Sequence, residues 1–193
     1  MDRNSFFHQL TPRPASEIER LQIAYWLSKD AHRKQVRDDG ERYFEHPRRV
    51  ATSLIKHDHG QTPTLILALL HDVVEDTETP LKVIVDLFGT EIWTGLNLLS
   101  KQIPNFDPVT GMNTRSGKKP IEDYFRAIAD GPKAVRLVKC ADRLDNLQDV
   151  ETFSAERRVR QLAETRKYIL PIAQLTCPVY YKELVAICAQ YPE

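Results

Sequence analysis

One stretch, Leu65-Ile66-Leu67-Ala68-Leu69-Leu70-His71-Asp72-Val73-Val74-Glu75-Asp76-Thr77, passes from an apolar run to a cluster of one histidine and three carboxylates. The apolar part predicts a buried helix. Asp72, Glu75 and Asp76 then place negative charge at the end of that helix, where the helix dipole favours cations and like charges repel. Stability does not require such a cluster, and a divalent metal would turn the repulsion into coordination. The stretch therefore predicts a metal-dependent enzyme.

The composition of the chain narrows the class of protein. Its 193 residues suffice for one domain with a substantial core and are too few for two ordinary domains. Because 27 basic side chains balance 27 acidic ones, we expect neither nucleic acid nor a membrane surface as partner. No apolar stretch is long enough to cross a bilayer, and residues 1–8 lack a signal-peptide pattern. The cysteines, Cys140, Cys177 and Cys188, form no disulfide framework or Cys-x-x-Cys motif, so we expect a cytoplasmic protein.

Helical spacing of apolar residues dominates the rest of the chain. Several expected helices begin at a proline, because its missing N–H would have no partner in the first helical turn. The expected helices lie around 18–27 with Ser16 as cap, start at His46-Pro47, Thr62-Pro63, Thr79-Pro80 and Gly131-Pro132, follow Gly89, and cover 154–170 and 178–189. No alternating strand pattern appears. We therefore expect an all-α fold, a single-domain helical bundle over residues 1–193 with its core at about 15–175.

Residues 102–119 differ from the rest because they contain two prolines, two glycines and little periodicity. A loop of this length in a compact domain is usually functional or disordered. We therefore expect a mobile loop. Its basic end, Arg115, Lys118 and Lys119, would suit closure over an anionic substrate, and a plain surface loop is the open alternative.

His71 and Asp72 would need further metal ligands from other helices. His46 lies at an expected helix start, and Asp142 lies in line with the apolar face of its own helix, where a lone charge would be costly to bury. Two imidazoles and two carboxylates suit Mn²⁺, with Fe²⁺ and Zn²⁺ as open alternatives. Taken singly, His46 also fits a surface or capping role, and Asp142 fits a pair with a neighbouring arginine. The combination is more specific than its parts.

Two further carboxylates lie one helical turn beyond the predicted ligands. Glu75 shares a helix face with His71, and Asp76 shares one with Asp72. Coordination to a metal lowers the pKa of water toward neutrality, and a carboxylate among other carboxylates has a raised pKa that suits proton donation. We therefore expect Glu75 to be the main proton-transfer group and Asp76 to order water or the leaving group.

The order His46, His71-Asp72, Asp142 resembles the H…HD…D pattern of the HD-domain metal-dependent phosphohydrolases. Other segments are similar to the hydrolase domain of the RelA/SpoT alarmone enzymes. They are QVRDDGERYFEHP at 35–47, HDVVEDT at 71–77, Phe88-Gly89, KCADRLDN at 139–146, Glu164-Thr165, Tyr168 and Pro171-Ile172-Ala173. The similarity covers roughly residues 15–175 and leaves no room for the synthetase domain of the long members. It implies a stand-alone small alarmone hydrolase with the helical HD-domain fold.

The resemblance also implies roles for single residues. The implied ligands of one Mn²⁺ ion are His46, His71, Asp72 and Asp142, and the groups flanking the reacting phosphate are Glu75 and Asp76. Arg37 would contact the nucleotide base or a phosphate, Tyr43 would shape the pocket wall, and Asn146 would contact ribose or phosphate. The implied reaction releases the 3′-pyrophosphate of ppGpp or pppGpp and leaves GDP or GTP. Adenine analogues such as ppApp stay open, because no identified residue fixes the base.

The chain departs from the family at positions expected to face the phosphates. Asp38 and Gln148 stand where alarmone hydrolases commonly have basic residues. Asp145 and Asp149 add negative charge nearby, whereas a substrate with many phosphates requires positive charge. The basic side chains expected to compensate are Arg33, Lys34, Arg42 and Arg143. The sequence thus predicts an intact metal site beside an altered substrate pocket.

Two other functions stay open at this point. One is a different HD-domain phosphohydrolase, acting on a deoxynucleotide, a nucleoside monophosphate or NADPH, which would not release pyrophosphate from a 3′ position. The other is a sensor that binds nucleotide or metal without turnover, and the Glu75-Asp76 pair argues against it. We therefore expect a nucleotide as partner, with no nucleic acid and no membrane, and leave the oligomeric state open.

Overall fold

The computed structural model describes residues 3–10, 12–38, 40–106 and 113–192. Helices account for most of these residues, which confirms the predicted all-α class. The helices are α1 (Arg3–His8), α2 (Ala15–Ala31), α3 (Glu45–Lys56), α4 (Thr62–Leu70), α5 (Val73–Asp76), α6 (Leu81–Phe88), α7 (Thr90–Leu99), α8 (Ile121–Asp130), α9 (Lys133–Gln148), α10 (Ala155–Glu164), α11 (Leu170–Thr176) and α12 (Pro178–Ala189). A 3-10 turn covers Val150–Thr152, a π-helical turn covers Thr165–Ile169, and two strands are β1 (Gln102–Phe106) and β2 (Asn113–Lys118).

The core forms around α4 and α9. Residues 64–70 of α4 are all buried, and the helix packs against α2, α3, α7 and α9. A helix that is apolar on all sides has to be covered on all sides, which explains its central place. Gly95 lets α7 approach closely, because a Cβ there would lie 2.7 Å from Leu67 Cδ2. α9 packs in turn against α3, α4, α7, α8, α11 and α12, so both central helices position the predicted ligands.

Most predicted helix starts agree with the structure. α3, α4, α6, α9 and α12 begin at or next to the proline-containing positions named above. Gly89 separates α6 from α7 with φ 87°, a left-handed conformation that favours glycine. The predicted cap Ser16 is wrong, because α2 already begins at Ala15 and Pro14 precedes it. α1 and α8 were not predicted, although α8 buries Tyr124, Phe125 and Ile128 at helical spacing.

The apolar helix ends earlier than predicted. α4 stops at Leu70, and His71 and Asp72 form a turn before the single-turn helix α5. The His71 ring explains the interruption, because its Nδ1 donates a hydrogen bond to Ala68 O at 2.8 Å and so competes with the helical pattern. The prediction that His71 and Asp72 share one continuous helix with the apolar run is therefore wrong.

The predicted helix 154–170 is also interrupted. Ser154 caps α10, and its hydroxyl accepts a hydrogen bond from the Arg157 backbone N–H at 3.3 Å. The chain then widens into the π-helical turn at Thr165–Ile169 before α11 begins. Pro171 accounts for the change, since it has no N–H to continue the α-helical ladder.

The expected irregular loop at 102–119 is a hairpin in its described part. β1 and β2 pair antiparallel, with Gln102 opposite Lys118 and Phe106 opposite Asn113, and residues 107–112 lie outside the described residues. Lys119 fixes the hairpin to the end of α7, because its Nζ donates to Ser100 O at 2.8 Å and also bonds Asn97 O. Lys119 is therefore not free to close over a substrate, and the Arg115 side chain lies outside the described part.

No helix in the described part of the chain is both long and apolar enough to span a bilayer. The three cysteines are buried and unpaired, which confirms that they form no disulfide framework.

Candidate metal centre and active site

Three parts of the fold bring the four predicted metal ligands together. His46 lies in the first turn of α3, His71 and Asp72 form the turn after α4, and Asp142 lies on α9. His46 Nε2 lies 3.2 Å from His71 Nε2 and 3.3 Å from Asp142 Oδ1. Donor atoms of His46, His71 and Asp142 all lie within 4.8 Å of one another. The Asp72 carboxylate adjoins both rings, at 3.5 Å from His46 Nε2 and 3.3 Å from His71 Nε2.

The second nitrogen of each imidazole is held by a hydrogen bond. His71 Nδ1 donates to Ala68 O, and His46 Nδ1 donates to Asp145 Oδ2 at 2.7 Å. Because both acceptors lack a hydrogen, each Nδ1 carries a proton, and each ring in its neutral form would present its Nε2 lone pair to the other. Two lone pairs at this distance repel unless a cation binds them. The arrangement therefore fits a metal that takes imidazole and carboxylate ligands.

The electrostatics of the cluster favour positive charge. Burial opposes protonation of His71, but Asp72 and Asp142 outweigh it and raise the pKa of His71 to about 9. Burial likewise opposes ionisation of Asp142, but Lys139 and the two histidines outweigh it and lower the pKa of Asp142 well below its ordinary value. The site thus requires cations, either as protons on the imidazoles or as a metal ion.

Asp142 has two further partners on its own helix. Lys139 Nζ donates to Asp142 Oδ2 at 2.8 Å, and Asn146 Nδ2 donates to Asp142 Oδ1 at 2.6 Å. Lys139 and Asp142 are both buried, and the carboxylate raises the pKa of Lys139 although burial opposes its charge. The sequence left open an ion pair between Asp142 and a neighbouring arginine. In the structure Asp142 pairs with Lys139, one helical turn earlier, and its Oδ1 still faces the histidines.

Asp145 supports His46 from outside the cluster. Besides His46 Nδ1, the Asp145 carboxylate accepts hydrogen bonds from Arg49 Nε at 2.8 Å and Arg49 Nη2 at 3.2 Å. Arg49 is held in turn by Glu41. Burial would raise the pKa of Asp145, but its bonds from His46 and Arg49 lower it. Asp145 is therefore an ionised carboxylate that fixes the orientation and tautomer of a predicted metal ligand.

Glu75 and Asp76 have different surroundings. Glu75 lines the cavity at the cluster, and its Oε2 accepts a hydrogen bond from the Lys101 backbone N–H at 2.8 Å. Asp76 Oδ2 lies 2.8 Å from the Tyr43 hydroxyl, which is also 3.0 Å from Asp72 Oδ2. Burial and then the charge of Asp72 raise the pKa of Asp76 to about 6. The raised carboxyl pKa expected in this segment therefore occurs at Asp76.

A cavity of about 150 Å³ opens at the cluster. Its lining includes the predicted metal ligands and also polar groups that can face a phosphate. The lining residues are Tyr43, His46, His71, Asp72, Glu75, Leu99, Lys101, Tyr124, Lys139, Asp142 and Asn146. Lys101 and Lys139 were not predicted. Lys139 stands one turn before Asp142, so helical spacing was a usable signal for it. Lys101 reaches the cavity only through the connection between α7 and β1, for which the sequence carries no signal.

A second cavity of about 150 Å³ adjoins the first, and both are lined by Tyr43 and Asn146. Its other lining residues are Val36, Arg37, Asp38, Asp149, Thr152, Phe153 and Arg157. Arg37 Nη2 donates to Asn146 Oδ1 at 3.3 Å. The structure thus places three predicted substrate-binding residues, Arg37, Tyr43 and Asn146, around the junction of the two cavities.

The fourth predicted substrate-binding residue, Arg143, does not reach either cavity. It is 3% exposed, and its guanidinium donates to Gln161 O and Glu164 Oε2, each at 3.0 Å. Arg143 follows Asp142 directly on α9, so its side chain points about 100° away around the helix axis. The structure therefore argues against a contact between Arg143 and substrate, whereas Lys101 and Lys139 do line the first cavity.

Comparisons with known proteins agree with this geometry. The sequence profile of the HD domain matches residues 24–174. A guanosine-3′,5′-bis(diphosphate) 3′-pyrophosphohydrolase of Aquifex aeolicus (strain VF5) is 34% identical over 167 residues, which are 84% of this chain and 22% of that protein. The bifunctional (p)ppGpp synthase/hydrolase SpoT of Escherichia coli (strain K12) is 33% identical over 169 residues, 83% of this chain and 22% of that protein. The chain thus spans about a fifth of the length of these curated relatives.

A solved structure covers nearly the whole chain. It belongs to a metazoan protein described as an ortholog of SpoT that hydrolyses ppGpp. Its sequence is 25% identical, its TM-score is 0.71, and the match covers 93% of this chain and 97% of that one. The profile match extends over most of the sequence and includes all four predicted metal ligands. The chain therefore belongs to the HD-domain family.

Proposed function

We propose that the protein hydrolyses the 3′-pyrophosphate of ppGpp or pppGpp, with Mn²⁺ as its metal and Fe²⁺ or Zn²⁺ as alternatives. The observation that carries the proposal is the convergence of His46, His71, Asp72 and Asp142 in one cavity with Glu75. The activities named for the two curated relatives and for the metazoan neighbour support it. The unpaired thiols support the predicted cytoplasmic location.

The chain supplies proton-transfer groups beside its metal ligands. A divalent ion bound there would lower the pKa of a coordinated water and offset phosphate charge. Glu75 is the proposed acceptor of the proton from water, because it lines the cavity and the Lys101 N–H holds its carboxylate in place. Asp76, with a pKa raised to about 6 and a hydroxyl partner in Tyr43, would order the leaving group and exchange its proton near neutral pH.

The proposed reaction breaks one phosphorus–oxygen bond. The water oxygen bonds to the phosphorus that carries the 3′ oxygen, and the bond between that phosphorus and the 3′ oxygen breaks. One proton of water passes to Glu75, and the 3′ oxygen takes up a proton, which leaves GDP or GTP together with pyrophosphate. Lys101 and Lys139 line the cavity and would stabilise the charge on pyrophosphate.

Two of the acidic residues noted near the substrate pocket, Asp38 and Asp145, have partners in the structure. Asp38 pairs with Arg157, whose guanidinium lies 4.0 Å from the centroid of the Phe153 ring. Asp145 is neutralised by Arg49 and His46. These carboxylates therefore do not oppose a phosphorylated substrate with unpaired charge. The adjoining cavity would hold the nucleoside, and we keep ppApp beside ppGpp as candidate.

A hydrolysis panel tests the proposal. Metal-stripped protein with added Mn²⁺ would be incubated with ppGpp, pppGpp, ppApp, deoxynucleoside triphosphates, nucleoside monophosphates and NADPH, with products separated by anion-exchange chromatography. We expect pyrophosphate from a 3′-pyrophosphorylated nucleotide and none from His71→Ala. Cleavage of another nucleotide alone would assign a different HD-domain phosphohydrolase. Bound metal without any turnover would favour the sensor.

Glu75→Gln tests the proton-transfer role separately. The amide keeps the size of the side chain but cannot take a proton, so we expect turnover to fall by a factor of about 10²–10⁴. Bound Mn²⁺, measured by elemental analysis, should stay at the wild-type level because Glu75 is not a proposed ligand. Near-normal turnover would remove Glu75 from this role.

A further inference from the structure

A third cavity lies beside the active site without sharing lining residues with it. It measures about 320 Å³ and is bounded by the end of α2, the chain that follows it and the start of α3. Its lining residues are Tyr25, Lys29, His32, Arg33, Arg42, Phe44 and Glu45. None of these lines either of the two cavities described above. We call it the α2–α3 cavity.

The charge of the α2–α3 cavity is positive. Lys29, Arg33 and Arg42 line it, and the one acidic lining residue, Glu45, is bonded by Arg48. Among the described residues, Arg33 pairs with Asp30, at 3.2 Å in an exposed contact that contributes little. The Arg42 guanidinium forms no ion pair with a described residue. Cations that line a cavity without matching carboxylates favour an anionic ligand.

Unsatisfied buried polar atoms occur in the same region. Among the described residues, the buried side-chain nitrogen and oxygen atoms without a hydrogen-bond partner are Ser28 Oγ, His32 Nε2, Arg48 Nε and Arg48 Nη1. His32 lines the cavity and is 1% exposed, Ser28 lies one turn before it on α2, and Arg48 holds the lining residue Glu45. Of these four atoms, only His32 Nε2 belongs to a residue that lines the α2–α3 cavity, because Arg48 lines a separate cavity with Arg49 and Asp145. Since a buried polar atom normally has a partner, His32 Nε2 points to a ligand at this cavity.

His32 also connects this cavity to the active site. Its ring stacks on Tyr43 with centroids 4.7 Å apart, and its Nδ1 lies 2.6 Å from Gln35 Oε1. Gln35 Nε2 donates to Asp76 O at 2.6 Å, and the Tyr43 hydroxyl bonds Asp72 and Asp76. A ligand that moves His32 would therefore act on Tyr43 and Gln35, which contact Asp72 and Asp76 beside the predicted metal site.

We propose that the α2–α3 cavity binds a phosphate group, bonded by Arg42, Lys29 and His32, at a site separate from the active site. Phosphate is the chemistry that fits, because guanidinium and ammonium groups around one concave site donate several charge-assisted hydrogen bonds to its oxygens. His32 Nδ1 donates to Gln35 Oε1, so Nε2 of the neutral ring is an acceptor, and burial lowers the pKa of His32. A bound anion would raise that pKa again, and the protonated ring would then donate to it from Nε2. The phosphate belongs either to a free inorganic anion or to a nucleotide, and the test below distinguishes these sources.

Trp26 gives a local signal for this binding. It is 46% exposed, Lys29 Nζ lies 4.9 Å from the centroid of its ring, and the Tyr25 ring lies 5.8 Å from it. Trp93 is the only other tryptophan. In a Trp93→Phe background, all tryptophan fluorescence therefore comes from Trp26, which contacts the cavity residue Lys29.

The experiment titrates this variant with orthophosphate, pyrophosphate and GTP in separate arms, in EDTA and at constant ionic strength. We expect a saturable fluorescence change, and the ligand that saturates at the lowest concentration identifies the source of the phosphate. Adding Lys29→Gln and Arg42→Gln should raise the apparent Kd at least about tenfold, as expected for lost charge-assisted hydrogen bonds. Lys82→Gln, which removes an exposed cation on α6, is the matched control and should change nothing.

Arg37→Gln separates this site from the active site, since Arg37 lines the nucleoside cavity. The Trp26 response should persist in Arg37→Gln. A response that disappears there and survives the Lys29 and Arg42 substitutions would place the anion in the active site and overturn the proposal. A linear response without saturation for all three anions would overturn it as well.

Discussion

Replacing Asp145 with asparagine should weaken metal binding while the fold is retained. Asp145 Oδ2 accepts a hydrogen bond from His46 Nδ1 at 2.7 Å, which keeps Nε2 directed at His71 and Asp142. The negative charge of the acceptor also makes the imidazole a stronger ligand. Asparagine keeps the shape and can keep the oxygen that accepts from His46, but its NH2 group then faces the Arg49 Nε–H. The substitution therefore removes the charge together with one hydrogen bond from Arg49.

The expected loss of Mn²⁺ affinity depends on how deeply the hydrogen bond between Asp145 and His46 is buried. Removing the outer hydrogen-bond partner of a metal-binding histidine typically costs 10–100-fold in metal affinity, about 1.4–2.7 kcal/mol. Asp145 is 6% exposed on its side chain and its bond to His46 is short, so screening by water is small. We therefore expect a loss of about 30-fold, roughly 2 kcal/mol.

The same substitution should show a defined pH dependence of stability. Burial raises the pKa of Asp145, but the bonds from His46 and Arg49 outweigh it, so the folded pKa lies below the unfolded one. The ionised carboxylate therefore stabilises the metal-free fold above its unfolded pKa of about 4, and this contribution is lost as pH falls through the folded pKa. Asp145→Asn should be less stable than wild type at neutral pH and approach it in acid.

Isothermal titration of metal-stripped protein with Mn²⁺ measures the affinity. Asp86→Asn is the matched control, because Asp86 is an exposed carboxylate paired with Lys82 on α6 and should contribute under about 1 kcal/mol to anything measured. Mn²⁺ binding by Asp145→Asn within about threefold of wild type, or equal weakening in Asp86→Asn, would refute this role of Asp145.

Three other perturbations test separate parts of the structure. Lys139→Met leaves Asp142 without its buried cation and should lower the free energy of unfolding in urea by about 3 kcal/mol in EDTA. The loss should be smaller with Mn²⁺, and equal losses in the two conditions would contradict an electrostatic cause. Gly95→Ala brings a Cβ to 2.7 Å from Leu67 and should cost about 1–3 kcal/mol in thermal unfolding; a loss below about 0.5 kcal/mol would refute the close approach of α4 and α7. Burial raises the pKa of Cys140 to about 12, so iodoacetamide at mildly alkaline pH should label it in urea but not in the native chain, and equal labelling rates would refute its burial.

The fold class and most helix starts were accessible from sequence because they depend on local features. Proline in the first turn and apolar spacing act within one helix, and they placed the starts of α3, α4, α6, α9 and α12 correctly. The end of α4 was not accessible, since it depends on the hydrogen bond of the His71 ring to Ala68 O. The hairpin at 102–119 was missed for a similar reason, because it depends on the pairing of two strands and on bonds from Lys119 back to the end of α7.

In the candidate site, too, some residues could be predicted from the sequence and others could not. Residue types and charges at unfavourable positions predicted His46, His71, Asp72 and Asp142 as metal ligands. The structure brings these four residues together, and their role as ligands stays a prediction. The supporting groups depend on how helices cross. Asp145 meets Arg49 only because α3 packs against α9, so its negative charge was assigned to the substrate pocket instead of to His46.

The paired imidazoles make metal uptake a proton exchange. Because neighbouring carboxylates raise the pKa of His71 to about 9, the ring carries a proton at pH 7 whenever no metal holds its Nε2. A divalent ion must expel that proton into the buffer, so the heat of binding includes the ionisation enthalpy of the buffer. The slope of that heat against buffer enthalpy counts the protons released. Protons and metal ions therefore compete for the same atom, His71 Nε2, and each displaces the other from it.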